Sequence, residues 1–171
     1  SAEQREYLIK SFSDKELKDV VDELYLDDTV DIVEEMPASI VKRILKQANS
    51  ETRQMINEML KYPADSAGSI MTTEFVDLYR DMTINEAIQH IRETGVDKET
   101  INVCYVTNVS RQLIGEVSIR TLILADLSAT VDSVMTKNTV SVNTQEDKED
   151  VAHVFSKYGC IVVPVVDSEE R

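Results

Sequence analysis

Tyr62-Pro63-Ala64-Asp65-Ser66-Ala67-Gly68-Ser69-Ile70-Met71-Thr72-Thr73-Glu74-Phe75 joins two kinds of sequence. Upstream of it, apolar residues recur at helical spacing; downstream, a strand-and-helix pattern runs twice. Pro63 disfavours helix at Tyr62, and Gly68 tolerates a turn conformation. A helix is therefore expected to stop here and the chain to redirect.

Downstream, Ile70-Met71-Thr72 returns as Val134-Met135-Thr136, an offset of 64 residues (71 to 135). The same offset carries Val76 to Val140, Leu78 to Val142, Thr83 to Asp147, Ala87 to Val151 and Ile91 to Phe155. In the first copy, Val76-Asp77-Leu78 alternates like a half-buried strand. Thr83 and Glu86 then form a capping box, and Ile84, Ala87, Ile88 and Ile91 mark a helix. Strands are expected over 103–106 and 113–118, and a closing helix over 120–124. The second copy repeats the opening turn, with a strand near 139–142, a helix over 147–158 and a strand over 161–166. By internal analogy a strand and a helix are then missing. Arg171 is read as a truncation point, and a half-finished unit exposes apolar surface unless a partner chain covers it.

Upstream, Ser13 and Glu16 form a capping box ahead of Leu17, Val20, Val21 and Leu24. A second helix is expected from about Asp28 with Ile32, Val33 and Met36. A third opens at Pro37 and carries Ile40, Val41, Ile44, Leu45 and Ala48. Asn49 or Ser50 caps a fourth, with Met55, Ile56, Met59 and Leu60. Such short helices are unstable alone and must stack. The methionines are read as core.

The 171 residues carry 32 acidic and 18 basic side chains, a formal charge of −14, which excludes nucleic acid as a partner and favours cations. Eight of the acids (Asp19, Asp22, Glu23, Asp27, Asp28, Asp31, Glu34, Glu35) lie between residues 19 and 41, a span without Lys or Arg. Asp27 and Asp31 share a helix face. The plainer reading is that Asp28 caps the second helix while Asp27 and Asp31 complement its dipole. That account does not cover the whole run, because clustered like charges destabilise a compact state unless something neutralises them.

Cys104 and Cys160 sit in apolar runs without a CxxC pattern and read as buried thiols of a reducing compartment. No apolar run reaches the roughly 18 residues of a membrane span. The chain is expected to be soluble, which is compatible with its being the water-exposed part of a longer membrane protein. His90 and His153 stand on predicted helices without nucleophile or carboxylate partners, so the chain is not expected to be an enzyme.

The β-α-β-β-α duplication resembles a pair of CBS domains, named after cystathionine β-synthase, which regulate many enzymes, channels and transporters. The junction, with acidic helices before it and Met82-Thr83 and Glu86-Ala87 after it, narrows this: nearly the whole chain is similar to the cytosolic part of MgtE-type magnesium transporters. The fold class implied is α plus α/β, a superhelical bundle of short helices followed by a tandem CBS pair. Its parts are a helical N domain over 1–62, a first CBS unit with the junction over 63–129, and an incomplete second unit over 130–171.

The resemblance further implies a homodimer formed through the CBS units. It would lie at the cytoplasmic face of the cell membrane, under a transmembrane magnesium pore that is absent from this chain. Mg2+ between the N and CBS domains would hold them closed and shut the pore. The family's carboxylate pair at the start of a mid-domain helix matches Asp27 and Asp31; its pair in the second CBS unit matches Asp147 and Glu149. A further acidic position of the family falls on Gly159 here. Magnesium takes oxygen ligands and keeps several waters, so one or two carboxylates from each of two surfaces suit it. Asp147 also aligns with the helix cap Thr83, and the two roles are compatible.

CBS pairs also bind adenine nucleotides such as ATP through a carboxylate ending a Ser/Thr-x-x-Asp motif. The matching run, Ser118-Ile119-Arg120-Thr121, has threonine there, and no phosphate-cradling Gly-rich loop is present. A helical scaffold docking a basic partner is the third reading. On the magnesium reading, the junction becomes a hinge about which acidic surfaces separate or close.

Overall fold

Helix starts in the first part are set by caps and by the phase of the buried residues. The computed structural model describes residues 2–171. Its contacts divide the chain into two units, one holding the residues up to Ala64 with Ser69–Thr73, the other Asp65–Gly68 with Glu74–Arg171.

In the first unit the helices are α1 (Ala2–Ser11), α2 (Asp14–Glu23), α3 (Leu26–Glu35), α4 (Ala38–Gln47) and α5 (Ser50–Met59). The capping box opens α2: the Ser13 N–H donates to the Glu16 carboxylate at 2.8 Å, and the Glu16 N–H to Ser13 Oγ at 3.3 Å. The hydroxyl and amide of Ser13 together hold the Glu16 carboxyl below its ordinary pKa. Asn49 caps α5 by accepting from the Thr52 N–H at 2.9 Å, and Pro37 stands at the N-cap of α4.

Two expectations are corrected here. Asp28 does not cap α3; the cap residue is Tyr25, without a side-chain bond, and Asp27 and Asp28 both fall in the first turn. Burial of Leu26, Val30 and Val33 fixes the helix phase and pulls its start upstream. The helix α1 was not expected, because its sequence is polar on most sides and only Ile9 is buried among its described side chains. Long-range bonds hold it. Arg43 donates to the carbonyls of Ile9 (3.2 Å) and Phe12 and to Asp14 (2.8 Å), and Arg5 pairs with Glu35 at 2.5 Å. Ile9, Leu17, Val21, Val33, Met36, Ile40, Ile44 and Ala48 form one core cluster; Leu26, Val30, Ile56 and Met59 form a second, against which Met71 packs.

The second unit opens at Asp65 and takes in Ala67 and Gly68 of the short helix α6 (Ala67–Ile70), whose last two residues are assigned to the first. It continues through β1 (Asp77–Tyr79), α7 (Ile84–Thr94), β2 (Val103–Thr107), β3 (Leu113–Ser118) and α8 (Ile119–Leu124). The second copy comprises α9 (Val131–Val134), β4 (Val142–Asn143), α10 (Lys148–Tyr158) and β5 (Val165–Val166). Strand β1 pairs with β2 in parallel, with Asp77 opposite Tyr105, and β2 pairs with β3 antiparallel, with Cys104 opposite Val117. Strand β4 pairs with β5 in parallel, as β1 does with β2. The repeat thus extends to the structure: α6 and α9 have four residues each and α7 and α10 eleven. Leu78, Ile84, Val106, Leu122 and Val131 centre the first copy's core, whereas the second copy's cluster holds only Ala67, Val142 and Val151 as fully buried members. Its strands are shorter than the expected 139–142 and 161–166, with Pro164 next to β5 contributing a carbonyl but no N–H to the ladder.

The box expected on α7 is present: the Thr83 N–H donates to Glu86 at 2.7 Å and the Glu86 N–H to Thr83 Oγ1 at 3.2 Å. Replacing Thr83 by Ala is expected to lower stability by about 1 kcal/mol. A urea midpoint equal to wild type would contradict it.

The opening turns are exchanged between the copies. Ile84 and Val131 N–H groups donate to Ala129 O and Met82 O, both at 2.9 Å, and Asp132 N–H to Arg80 O at 3.0 Å; this places the turn before the second copy on the helix start of the first. At the positions 64 residues away, Lys148 N–H donates to Asp65 O (2.8 Å), Ala67 N–H to Glu146 O (2.7 Å) and Gly68 N–H to Thr144 O (2.9 Å). The junction turn therefore belongs to the helix start of the second copy. Gly68 is buried inside α6, and the left-handed residue of the turn is Asp65, at φ 65°. The expected turn role of Gly68 is thus corrected: bonds from the second copy, and not glycine freedom, redirect the chain.

Candidate functional site

The carboxylates nominated from sequence fall into two groups, Asp27 and Asp31 on the first two turns of α3 and Asp147 and Glu149 at the start of α10. On α3, Asp27 is half-buried and Asp31 exposed, one turn apart, while Thr29, Val30 and Val33 are buried. The acidic run is less uncompensated than its sequence implies. Lys18 on α2 pairs with Asp22, and Arg5 on α1 with Glu35. Both cations come from outside the run.

On α10, Asp147 is the N-cap and its Oδ1 accepts from the Glu149 N–H at 2.8 Å, so the cap role read from its alignment with Thr83 is realised. Glu149 stands in the first turn, and both side chains are exposed. Between them, Lys148 extends its ammonium to Asp65 Oδ1 at 2.5 Å. That bond, followed by the charges of Asp65, Asp147 and Glu149, holds the ammonium above the ordinary lysine pKa. No sequence signal marked this pair, whose members lie 83 residues apart.

Among the described residues no three His, Cys, Asp or Glu side chains converge as a closed metal cage. The nominated donors come instead as carboxylate pairs, exposed at Asp31, Asp147 and Glu149 and half-buried at Asp27. Such a set fits a hard cation that keeps much of its water, because magnesium is commonly held by one or two carboxylates and completes its octahedron with solvent. The partial positive charge of a helix N-terminus opposes a cation there, so affinity at α10 would be low.

Gly159, on which the family's further acidic position falls, is the left-handed cap of α10 at φ 63°. A side chain there meets nothing within 4 Å, so the backbone conformation alone favours glycine. In the stretch compared with nucleotide-gripping motifs, Ser118 caps α8: its Oγ accepts from the Thr121 N–H at 3.0 Å and lies 2.9 Å from the Thr121 hydroxyl. Burial pushes the Cys104 thiol up to about 11, leaving it largely protonated, whereas Cys160 is only half-buried. His90 and His153 lie on α7 and α10.

The MgtE intracellular N domain family matches residues 1–65, and the CBS domain family matches 67–128 and 131–171. The chain is similar to the magnesium transporter MgtE of Thermus thermophilus, with 36% identity over 146 residues, covering 85% of this chain and 32% of the relative. For the Bacillus subtilis magnesium transporter MgtE the identity is 31% over 141 residues, covering 82% and 31%. The chain thus spans about a third of the length of the curated relatives it matches. Among solved structures, the cytosolic domain of the Mg2+ channel MgtE in complex with ATP superposes with a TM-score of 0.95 at 33% identity, covering all of this chain and 70% of the other. The soluble part of a magnesium transporter also gives 0.95, at 30% identity over 99% and 66%. No helix among the described residues is long and apolar enough to cross a membrane.

Proposed function

Because the chain belongs to the MgtE family of magnesium transporters, of which it carries the N domain and the CBS domain pair, we propose that it is the region that senses magnesium at the cytoplasmic face and closes the pore. The observation that carries this reading is the placement of two carboxylate pairs in a chain of this family: half-buried Asp27 in the first turn of α3 with exposed Asp31 one turn on, and exposed Asp147 and Glu149 at the start of α10. Mg2+ shared by the acidic faces of the N and CBS domains offsets their repulsion, and each aspartate or glutamate supplies an oxygen ligand while water completes the shell. When free magnesium falls, the ions leave, the faces repel and the pore domain, which lies outside this chain, is released. Several weak sites acting together place the response near cellular magnesium. A homodimer through the CBS units would cover Ile123, Leu124 and Leu127, which are 65%, 75% and 54% exposed.

A second reading, an adenine-nucleotide-sensing CBS module, is favoured by the ATP complex of the related cytosolic domain. Thr121 at the position of the gripping carboxylate weighs against it. Calorimetric titration with MgCl2 and separately with ATP, with small-angle scattering and limited proteolysis, decides between them. Millimolar magnesium is expected to compact the chain and slow cleavage between residues 62 and 75. Indifference to magnesium, with the same change produced by ATP, would put the nucleotide reading in its place.

A further inference from the structure

The two exchanged turns share their three backbone bonds, and each carries an ion pair of its own: Arg80 with Asp132 in the first, Lys148 with Asp65 in the second. Where the first copy has Ile84, the second has Lys148, and its ammonium bonds Asp65 across the turn. The charged arm is thus an addition to a junction that the backbone already closes. It stands between Asp147 and Glu149 in the chain.

We propose that Lys148 is a resident counter-cation of the Asp147 and Glu149 pair, and that the Asp65–Lys148 bond is a positioning clasp: it sets how tightly the pair takes a divalent cation while pinning the junction turn to α10. The inference rests on the reading of Asp147 and Glu149 as magnesium ligands. With no metal near, the ammonium relieves the repulsion of the two carboxylates. A divalent cation approaching them is repelled by the same ammonium, and the closer the ammonium lies to the pair, the weaker the cation binds. Asp65 draws the ammonium away from the pair and towards the turn. Loss of either partner loosens the turn, and the two losses shift metal affinity in opposite directions.

The test compares the 171-residue chain with Lys148→Met, Asp65→Asn and Lys148→Arg by MgCl2 calorimetry at low ionic strength and by amide exchange. Asparagine tolerates the left-handed backbone of position 65, so Asp65→Asn removes the charge without forcing the turn. Lys148→Met is expected to tighten magnesium binding about threefold and Asp65→Asn to weaken it about twofold, sizes set by a screened charge at the surface. Exchange at Ala67 and Gly68 should rise in both, and Lys148→Arg should restore both readouts. Affinity that stays unchanged, or moves the same way in both variants, overturns the clasp. A chain with Asp147→Asn and Glu149→Gln separates the two ideas, since asparagine still caps the helix. If this chain titrates like wild type, the ligand reading falls and the clasp with it. If it loses sites while Lys148→Met and Asp65→Asn are silent, the clasp alone falls.

Discussion

A chain carrying Asp27→Ala with Asp31→Ala is expected to be cut in the junction at the same rate with and without millimolar magnesium, while the wild-type chain is protected. The substitution takes two acids from a run of eight, of which Asp22 and Glu35 are already paired with Lys18 and Arg5. What remains on that face offers a cation little organised charge. Magnesium affinity should fall at least about tenfold, since bonds to charged groups are each worth about 1.5–3 kcal/mol. Folding is expected to survive. Alanine is a good helix former, Asp31 is exposed, and the loss of first-turn charge on α3 costs about 0.3–1 kcal/mol. Circular dichroism checks that the helices persist. Glu34→Ala is the control, because it removes one exposed charge from the same run without touching the nominated pair. Should Glu34→Ala weaken the response as much per charge, magnesium would be acting by diffuse screening and not through Asp27 and Asp31.

Features that depend on a few neighbouring residues are legible in the sequence itself. The boxes at Ser13 and Thr83 each close over three residues, so the spacing of hydroxyl and carboxylate is sufficient to read them. The repeat was legible because both copies keep the same spacing from opening turn to helix, which also placed Asp147 and Glu149 at a helix start. What escaped depends on distant partners. Helix α1 is held by Arg43 and by the Arg5–Glu35 pair, and nothing in its own weakly amphipathic sequence announces it. The start of α3 is decided by where Leu26 can be buried, a tertiary matter that overrode the capping preference of Asp28. The junction, read as a hinge because of Pro63 and Gly68, has its residues 65–68 bonded to the second copy and Met71 packed against the helical core.

Replacing Gly115 by Val is expected to cost about 3 kcal/mol, combining an overpacking cost of about 1–3 kcal/mol with hydrogen bonds worth about 1 kcal/mol each. Gly115 is buried in β3, and a Cβ there would stand 2.8 Å from the Thr136 carbonyl oxygen and 2.9 Å from Met135 Sδ. Methionine can rotate aside, but the carbonyl cannot do so cheaply. Thr136 N–H donates to Glu116 O at 2.8 Å and Glu116 N–H to Thr136 O at 3.0 Å, so a shift of Thr136 strains both. Since Met135 also packs on the first copy's core, the branched side chain pushes the opening of the second copy away from the sheet of the first. Gly115→Ala keeps the clash but adds less bulk and should cost about 1–2 kcal/mol, within the overpacking range. Urea unfolding ranks the three chains. A Gly115→Val midpoint equal to wild type would mean that the Glu116–Thr136 bridge yields without loss, and that the two copies are held together by their exchanged opening turns alone.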